Sequence, residues 1–326
     1  MDRWSGVLKV RLDHNSLNYY RVAASLCFSS TSKTLTVPSA NAIFFNGDRV
    51  QGTRNPVIEG LSDLQKIADV LVSKFGGCIN AWVIEASIFS GPFAVYKDFI
   101  PSVNKWGEPK LYCPTGFPAS SATVSLLSNC LEEAKKVISS SQMELHSTSI
   151  SSSQPKTFLL GFSKGGTVLN QLVTELGFLE QKSMVSPTHI EEGLANGKSS
   201  IIQEGSQIIP RTAESLLNSI TEIHYVDVGL NSHGAYITDQ NVTENILKRL
   251  LDGASGIRFV LHGTPRQWCD KRRAWIRDEK EKLIRLLESG AQRSNGKLKV
   301  CERLYFADKP PDMQMHFEII EKMDVS

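Results

Sequence analysis

From residue 40 onward, short apolar runs alternate with longer stretches whose apolar residues recur at helical spacing, and few folds accommodate that alternation. Parallel strands cannot be joined by a tight turn, so each needs a crossover, usually a helix, that packs back on the sheet. Ala42 to Phe45 reads as a buried strand ending at Asn46-Gly47-Asp48. Leu61, Leu64, Ala68, Leu71 and Phe75 then line one helix face that stops at Gly76-Gly77. Ile79 to Ile84 is the next strand, and Leu127, Cys130, Leu131, Ala134 and Ile138 mark the next helix. Thr157 to Leu160 is a strand that runs into a helix over Thr167 to Leu176. Strands at Glu222 to Val226, Ile257 to Leu261 and Leu298 to Phe306 follow, with helices at 241–252 and 271–289 between them. The pattern predicts an α/β architecture, a mostly parallel sheet with helices on both faces. The 271–289 helix is dense in Lys, Arg and Glu and reads as a solvated face.

The chain has 326 residues, enough for two domains, but the alternation resumes unchanged after every interruption, so a single domain over 1–326 is expected. Residues 139–153 carry eight serines and read as a flexible loop over 139–155. The irregular segment 180–215, with Pro187, Gly193, Gly197, Gly205 and Pro210, reads as a cap or lid insertion, or as a long loop. At the N-terminus, Ser and Arg suggest an import leader. Val7 to Leu12 and Tyr20 to Phe28 instead look like two strands around His14-Asn15-Ser16, and a segment built into the fold is the favoured reading.

Charge and motif content exclude several functions. With 36 Lys and Arg against 34 Asp and Glu, and no interleaved basic and aromatic face, nucleic-acid binding has no support. No apolar run approaches the roughly 18 residues of a membrane span, and the chain reads as soluble. The six cysteines are scattered without a CxxC pair, which fits a reducing compartment and no zinc knuckle. Neither a phosphate loop, nor HExxH, nor GxGxxG after a strand is present, so no metal and no organic cofactor is expected.

The sharpest motif is Gly161-Phe162-Ser163-Lys164-Gly165, a GxSxG placed between a strand and a helix. In such a nucleophile elbow the glycines let neighbouring backbone approach while the serine hydroxyl stands clear of the sheet. The bland reading is a glycine-rich turn with a capping serine. A serine needs a base, normally histidine, and in the chain order Ser, acid, His that base falls after the last strand. His316 is placed there. His233 and His262 are weaker candidates, and His14, His146, His189 and His224 have no supporting context.

The acid is left between Asp227, which closes the strand ending at Val226, and Asp270, which follows the next strand, with Asp239 a weaker third. Where a His-Gly-Thr loop of this kind commonly carries its acid, Arg266 stands instead. Either aspartate could simply cap a helix or end a strand. Backbone N–H groups of Lys164 and of the Gly47 loop are the expected oxyanion donors. Asp48 beside them would oppose a developing negative charge unless paired. Arg266, Lys271, Arg272 and Arg273 could meet an anionic substrate or form a solvated helix start.

Four strings, GFSKGGTVLNQL, YVDVGLNSHGAYITD, LHGTPRQWCDKRRAWIRDEK and FADKPPDMQMHFEII, resemble a eukaryotic family typified by the human mitochondrial open-reading-frame protein from chromosome two. The resemblance runs from about Asn41 to the C-terminus and implies an α/β-hydrolase-like fold, a serine hydrolase and association with mitochondria; without it, the cytoplasm is expected. The expected function is cleavage of an ester or thioester, of a small-molecule or lipid-like acyl substrate, through an acyl-enzyme. The alternative is a non-catalytic protein of the same fold that binds a protein partner.

Overall fold

The computed structural model describes residues 2–13, 15–139, 154–179 and 207–326. Its main sheet contains, in chain order, β1 (Asp2–Arg11), β2 (Tyr19–Ser29), β3 (Ala40–Asn46), β4 (Ile79–Glu85), β5 (Lys156–Phe162), β6 (Ile220–Val226), β7 (Ile257–Gly263) and β8 (Leu298–Leu304), with the short strand Thr34–Leu35 beside β2. Across the sheet the order is β1-β2-β4-β3-β5-β6-β7-β8. β2 runs antiparallel to both neighbours, and the pairs from β4 through β8 are parallel.

The N-terminal hairpin is part of this sheet, pairing Asp2 with Phe28 and Arg11 with Tyr19. Both faces of the parallel strands are covered, which is why they read as continuous apolar runs. Ile43 and Phe45 of β3 point into one core together with α3 (Pro118–Ser139), α4 (Gly166–Phe178), α6 (Gln240–Leu251) and α8 (Ala274–Arg293). Ala42 and Phe44 point into the other, with α1 (Pro56–Leu61), α2 (Leu64–Phe75) and α9 (Met313–Lys322). Side chains alternate between faces with the pleat.

The order reverses at β3, whose successor β4 lies on one side while β5 lies on the other. Crossovers leaving in opposite directions open a crevice beyond the carboxyl ends of these strands. Asn46 ends β3 and Phe162 ends β5, so Gly47, Asp48 and Ser163 meet there.

Two expectations need adjustment. The charged stretch 271–289 begins as a 3₁₀ turn, Lys271–Arg273, before α8, and α8 is not solvated throughout. Glu279 is buried and accepts the N–H groups of Gly234 at 3.0 Å and Ala235 at 2.8 Å, fixing the loop after β6. Most of the expected 180–215 cap, residues 180–206, and most of the serine-rich loop, residues 140–153, lie outside the described residues. From Thr212 the chain is ordered by a capping box into α5 (Ala213–Ser219).

Candidate active site

Ser163 follows directly on β5 with φ 50°, in the left-handed region that a residue with a Cβ occupies only under constraint. The constraint is close packing. A Cβ on Gly47 would collide with Phe162 O and Lys164 N, and one on Gly165 with Phe45 O. The end of β3 and the turn after β5 therefore touch backbone to backbone, and α4 starts one turn later. Ser163 is 4 % exposed and lines a cleft of roughly 600 Å³ shared with Asp48, Lys164, Arg266 and His316.

His316 lies in the first turn of α9, whose N-cap Asp312 accepts the N–H of Met315 at 2.7 Å. Its ring packs against that of Phe162, tilted by 33° with centroids 4.6 Å apart. Nδ1 is 2.6 Å from Asp227 Oδ2, and Nε2 is 2.9 Å from Asp48 Oδ2. Carboxylates only accept, so both ring nitrogens donate and the ring is an imidazolium. Burial alone would lower the His316 pKa, but the hydrogen bonds and charges of Asp227 and Asp48 outweigh it and raise the value to about 9.

Asp227 is held as firmly as the histidine. It follows β6 with φ 44°, and its N–H donates to His262 O at 2.8 Å. Its carboxylate accepts Thr264 N–H at 2.7 Å and the Thr264 hydroxyl at 3.0 Å, besides His316. Asp270, the other candidate acid, is engaged elsewhere. It caps the Lys271–Arg273 turn, accepts Arg272 N–H at 3.0 Å and pairs with Arg273 Nε at 3.0 Å. Asp239 caps α6.

Asp48 is fixed by its neighbours in the chain. It bridges to Phe93 in the strand Phe93–Val95, Ala94 N–H donates to Gly47 O at 2.9 Å, and Arg49 N–H donates to Pro92 O at 2.7 Å. Its Oδ1 is buried and has no hydrogen-bond partner among the described residues. The sequence placed this carboxylate near the expected oxyanion donors, but the pairing with His316 had no signal in it.

The side chain of Lys164 runs the other way, with Nζ 3.0 Å from Trp106 O and 3.4 Å from Glu108 Oε1. Burial lowers the Lys164 pKa, against the opposing pull of Glu108 and Asp48. Burial would raise that of Glu108, but Ser232 Oγ at 2.7 Å, Asn231 N–H at 2.8 Å and Lys164 hold it below the usual range. Glu108 is a residue that sequence reasoning missed.

The other described histidines lie outside this constellation, and His14, His146 and His189 are outside the described residues. His233 pairs with Glu279 at 3.0 Å on the surface. His224 and His262 form a buried chain, His224 Nδ1 to His262 Nε2 at 3.0 Å and His262 Nδ1 to Tyr305 OH at 3.0 Å. Among the described residues no group of three His, Cys, Asp or Glu is arranged to hold a metal ion, and no helix is long and apolar enough to cross a membrane.

A sheet ordered 1-2-4-3-5-6-7-8 with its second strand reversed, a strained serine after the fifth strand and a histidine after the last define an α/β-hydrolase fold. The C2orf69 family model matches residues 198–291. The zebrafish (Danio rerio) mitochondrial protein C2orf69 homologue is 25% identical over 95% of this chain and 82% of its own. The human mitochondrial protein C2orf69 is 24% identical over 87% of this chain and 74% of its own. The chain is thus similar to the C2orf69 proteins over most of its length. Among solved structures, the siderophore hydrolase EstA from Aspergillus nidulans superposes with a TM-score of 0.45 at 12% identity, covering 96% of this chain and 91% of its own.

Proposed function

We propose that this protein is a serine hydrolase that cleaves an ester or thioester through an acyl-enzyme, with Ser163 as nucleophile, His316 as base and acid, and Asp227 as the group that orients the imidazole. The observation that carries this reading is the strained Ser163 in one cleft with a buried His316 whose Nδ1 is bonded to Asp227 at 2.6 Å. In the first step Ser163 Oγ bonds to the acyl carbon, its proton passes to His316 Nε2, and the C=O electron pair moves to oxygen. The N–H of Lys164 and the backbone of the Gly47 loop would meet that charge. The leaving alcohol or thiol takes the proton from Nε2 as the acyl-enzyme forms, and water reverses the sequence.

Asp48 adds a condition. While it holds Nε2–H at 2.9 Å, His316 has no lone pair to offer Ser163. Catalysis therefore runs through the minor form in which the ring is neutral and Asp48 has let go. The same contact supports the second reading, a protein that holds an acyl ligand in this cleft without cleaving it. The names of the relatives favour a mitochondrial setting for either. We read residues 1–326 as one hydrolase-like unit.

Turnover separates the two readings. Wild type and Ser163→Ala are compared on short-chain esters and thioesters across about pH 6 to 10, spanning the expected imidazole titration. Hydrolysis that rises with pH and is lost in Ser163→Ala supports the enzyme. A folded wild type inactive on every substrate at every pH supports the binding protein.

A further inference from the structure

The cleft carries more positive charge than its own carboxylates neutralise, and pairing the charges off locates the excess. Lys164 is matched by Glu108 and His316 by Asp48, while Arg272 and Arg273 share the single carboxylate of Asp270. Arg266 and Lys271 line the same cleft, and neither has a carboxylate partner among the described residues. Arg266 lies in the short helix α7 (Pro265–Trp268), and its Nε is enclosed without a hydrogen-bond acceptor.

The next residue gives a second, independent sign. Gln267 is 5 % exposed, also lines the cleft, and lies against Gly229. Its Oε1 is buried and unpartnered, and its Nε2 also lacks a hydrogen-bond partner among the described residues. Buried amides and guanidinium groups are ordinarily satisfied, because leaving one without a partner is costly. Gln267 Oε1, itself an acceptor, packs against Gly229, which leaves the Arg266 Nε–H and the Gln267 carboxamide N–H as donors without acceptors in the wall of the cleft that holds Ser163, as fits a site that an acceptor ligand completes.

We infer that the cleft takes acyl substrates bearing an anionic group, a carboxylate or a phosphate, which Arg266 grips while the Gln267 carboxamide donates beside it. A guanidinium presents a planar fork that matches two oxygens of either anion, and charge-assisted hydrogen bonds of this kind are the strong ones. Lys271, more exposed, adds attraction at longer range. This inference rests on the cleft being the substrate site of the proposed hydrolase, but it concerns recognition and can be read without turnover.

The test uses the full chain as Ser163→Ala, which binds without cleaving, titrated calorimetrically with hexyl phosphate, hexanoate and hexanol. Both anions, or one of them, should bind at least about tenfold more tightly than hexanol, as charge-assisted hydrogen bonds predict. A preference for hexyl phosphate marks a phosphate-bearing substrate, and a preference for hexanoate a carboxylate-bearing one. Adding Arg266→Met or Arg266→Gln should remove the preference, whereas Arg285→Met, on an exposed part of α8, should keep it. Thermal unfolding of each variant confirms the fold. Hexanol binding as tightly as the anions, no binding of either anion, or an unchanged preference in both folded Arg266 variants would overturn the inference. An inactive wild type that still binds anions through Arg266 would sink the hydrolase reading alone.

Discussion

Replacing Asp48 by Asn keeps the shape of the side chain and removes its charge, and the effect on His316 can be worked from the site. With its pKa raised to about 9 by Asp227 and Asp48, the ring is neutral in only about 3 % of molecules at about pH 7.5. The carboxamide introduced by Asp48→Asn carries no charge to hold a proton on Nε2, and loss of one contacting carboxylate lowers a pKa by about one to three units. A fall of about two units makes the ring neutral in roughly three quarters of molecules at about pH 7.5, a gain of about 25-fold in kcat/KM for a small neutral ester. Near pH 10 the wild-type ring is also neutral, so the gain should shrink to less than about twofold. The assay is the pH dependence of kcat/KM for both proteins. A wild-type midpoint near neutrality, or a variant-to-wild-type ratio that does not change with pH, would refute the reasoning. Stability supplies the counterpart. A folded pKa raised above the ordinary 6.5 contributes stability that is fully present below 6.5 and is lost as pH rises through about 9. That difference is worth about 3 kcal/mol for the buried ring with both carboxylates. Asp48→Asn should therefore destabilise the protein to denaturant at about pH 6 and much less near pH 10.

Other substitutions probe neighbouring parts of the account. Ser163→Gly removes the Cβ from a residue at φ 50°; it should abolish turnover yet stabilise the fold by about 1 kcal/mol, visible as a Tm higher by about 2 °C. Gly47→Ala drives a Cβ into Phe162 O and Lys164 N, both backbone, and should cost more than about 2 kcal/mol in denaturant unfolding, with activity lost alongside. Asp227→Asn leaves the Thr264 contacts a partner but removes the charge that orients His316, and should lower kcat by about 10³- to 10⁴-fold with little change in KM.

The sheet was legible because parallel strands buried on both faces must read as apolar runs and their crossovers as amphipathic helices. The turn that carries Ser163 was legible because it demands glycines on either side, and the position of His316 because one histidine follows the last strand and its loop. The choice between Asp227 and Asp270 was not, since both follow strands. Only the fold shows Asp227 turned inward at φ 44° toward His316 and Asp270 turned to Arg272 and Arg273. Asp48 and His316 are 268 residues apart, and nothing local announces such a pair. Glu279 misled in the opposite direction: on a charge-rich helix it reads as solvated, yet its carboxylate is buried against the N–H groups of Gly234 and Ala235.

The central claim is that Ser163 becomes a nucleophile once His316 is neutral, and a fluorophosphonate reports on that step without knowledge of the substrate. Purified protein would be treated over about pH 6 to 10, bracketing the imidazole titration, and the adduct located by peptide mass spectrometry. The account predicts one adduct, on Ser163, forming faster as pH approaches 9 and absent from folded His316→Ala. A well-folded wild type that stays unmodified across the whole range, or an adduct on another residue, would contradict it.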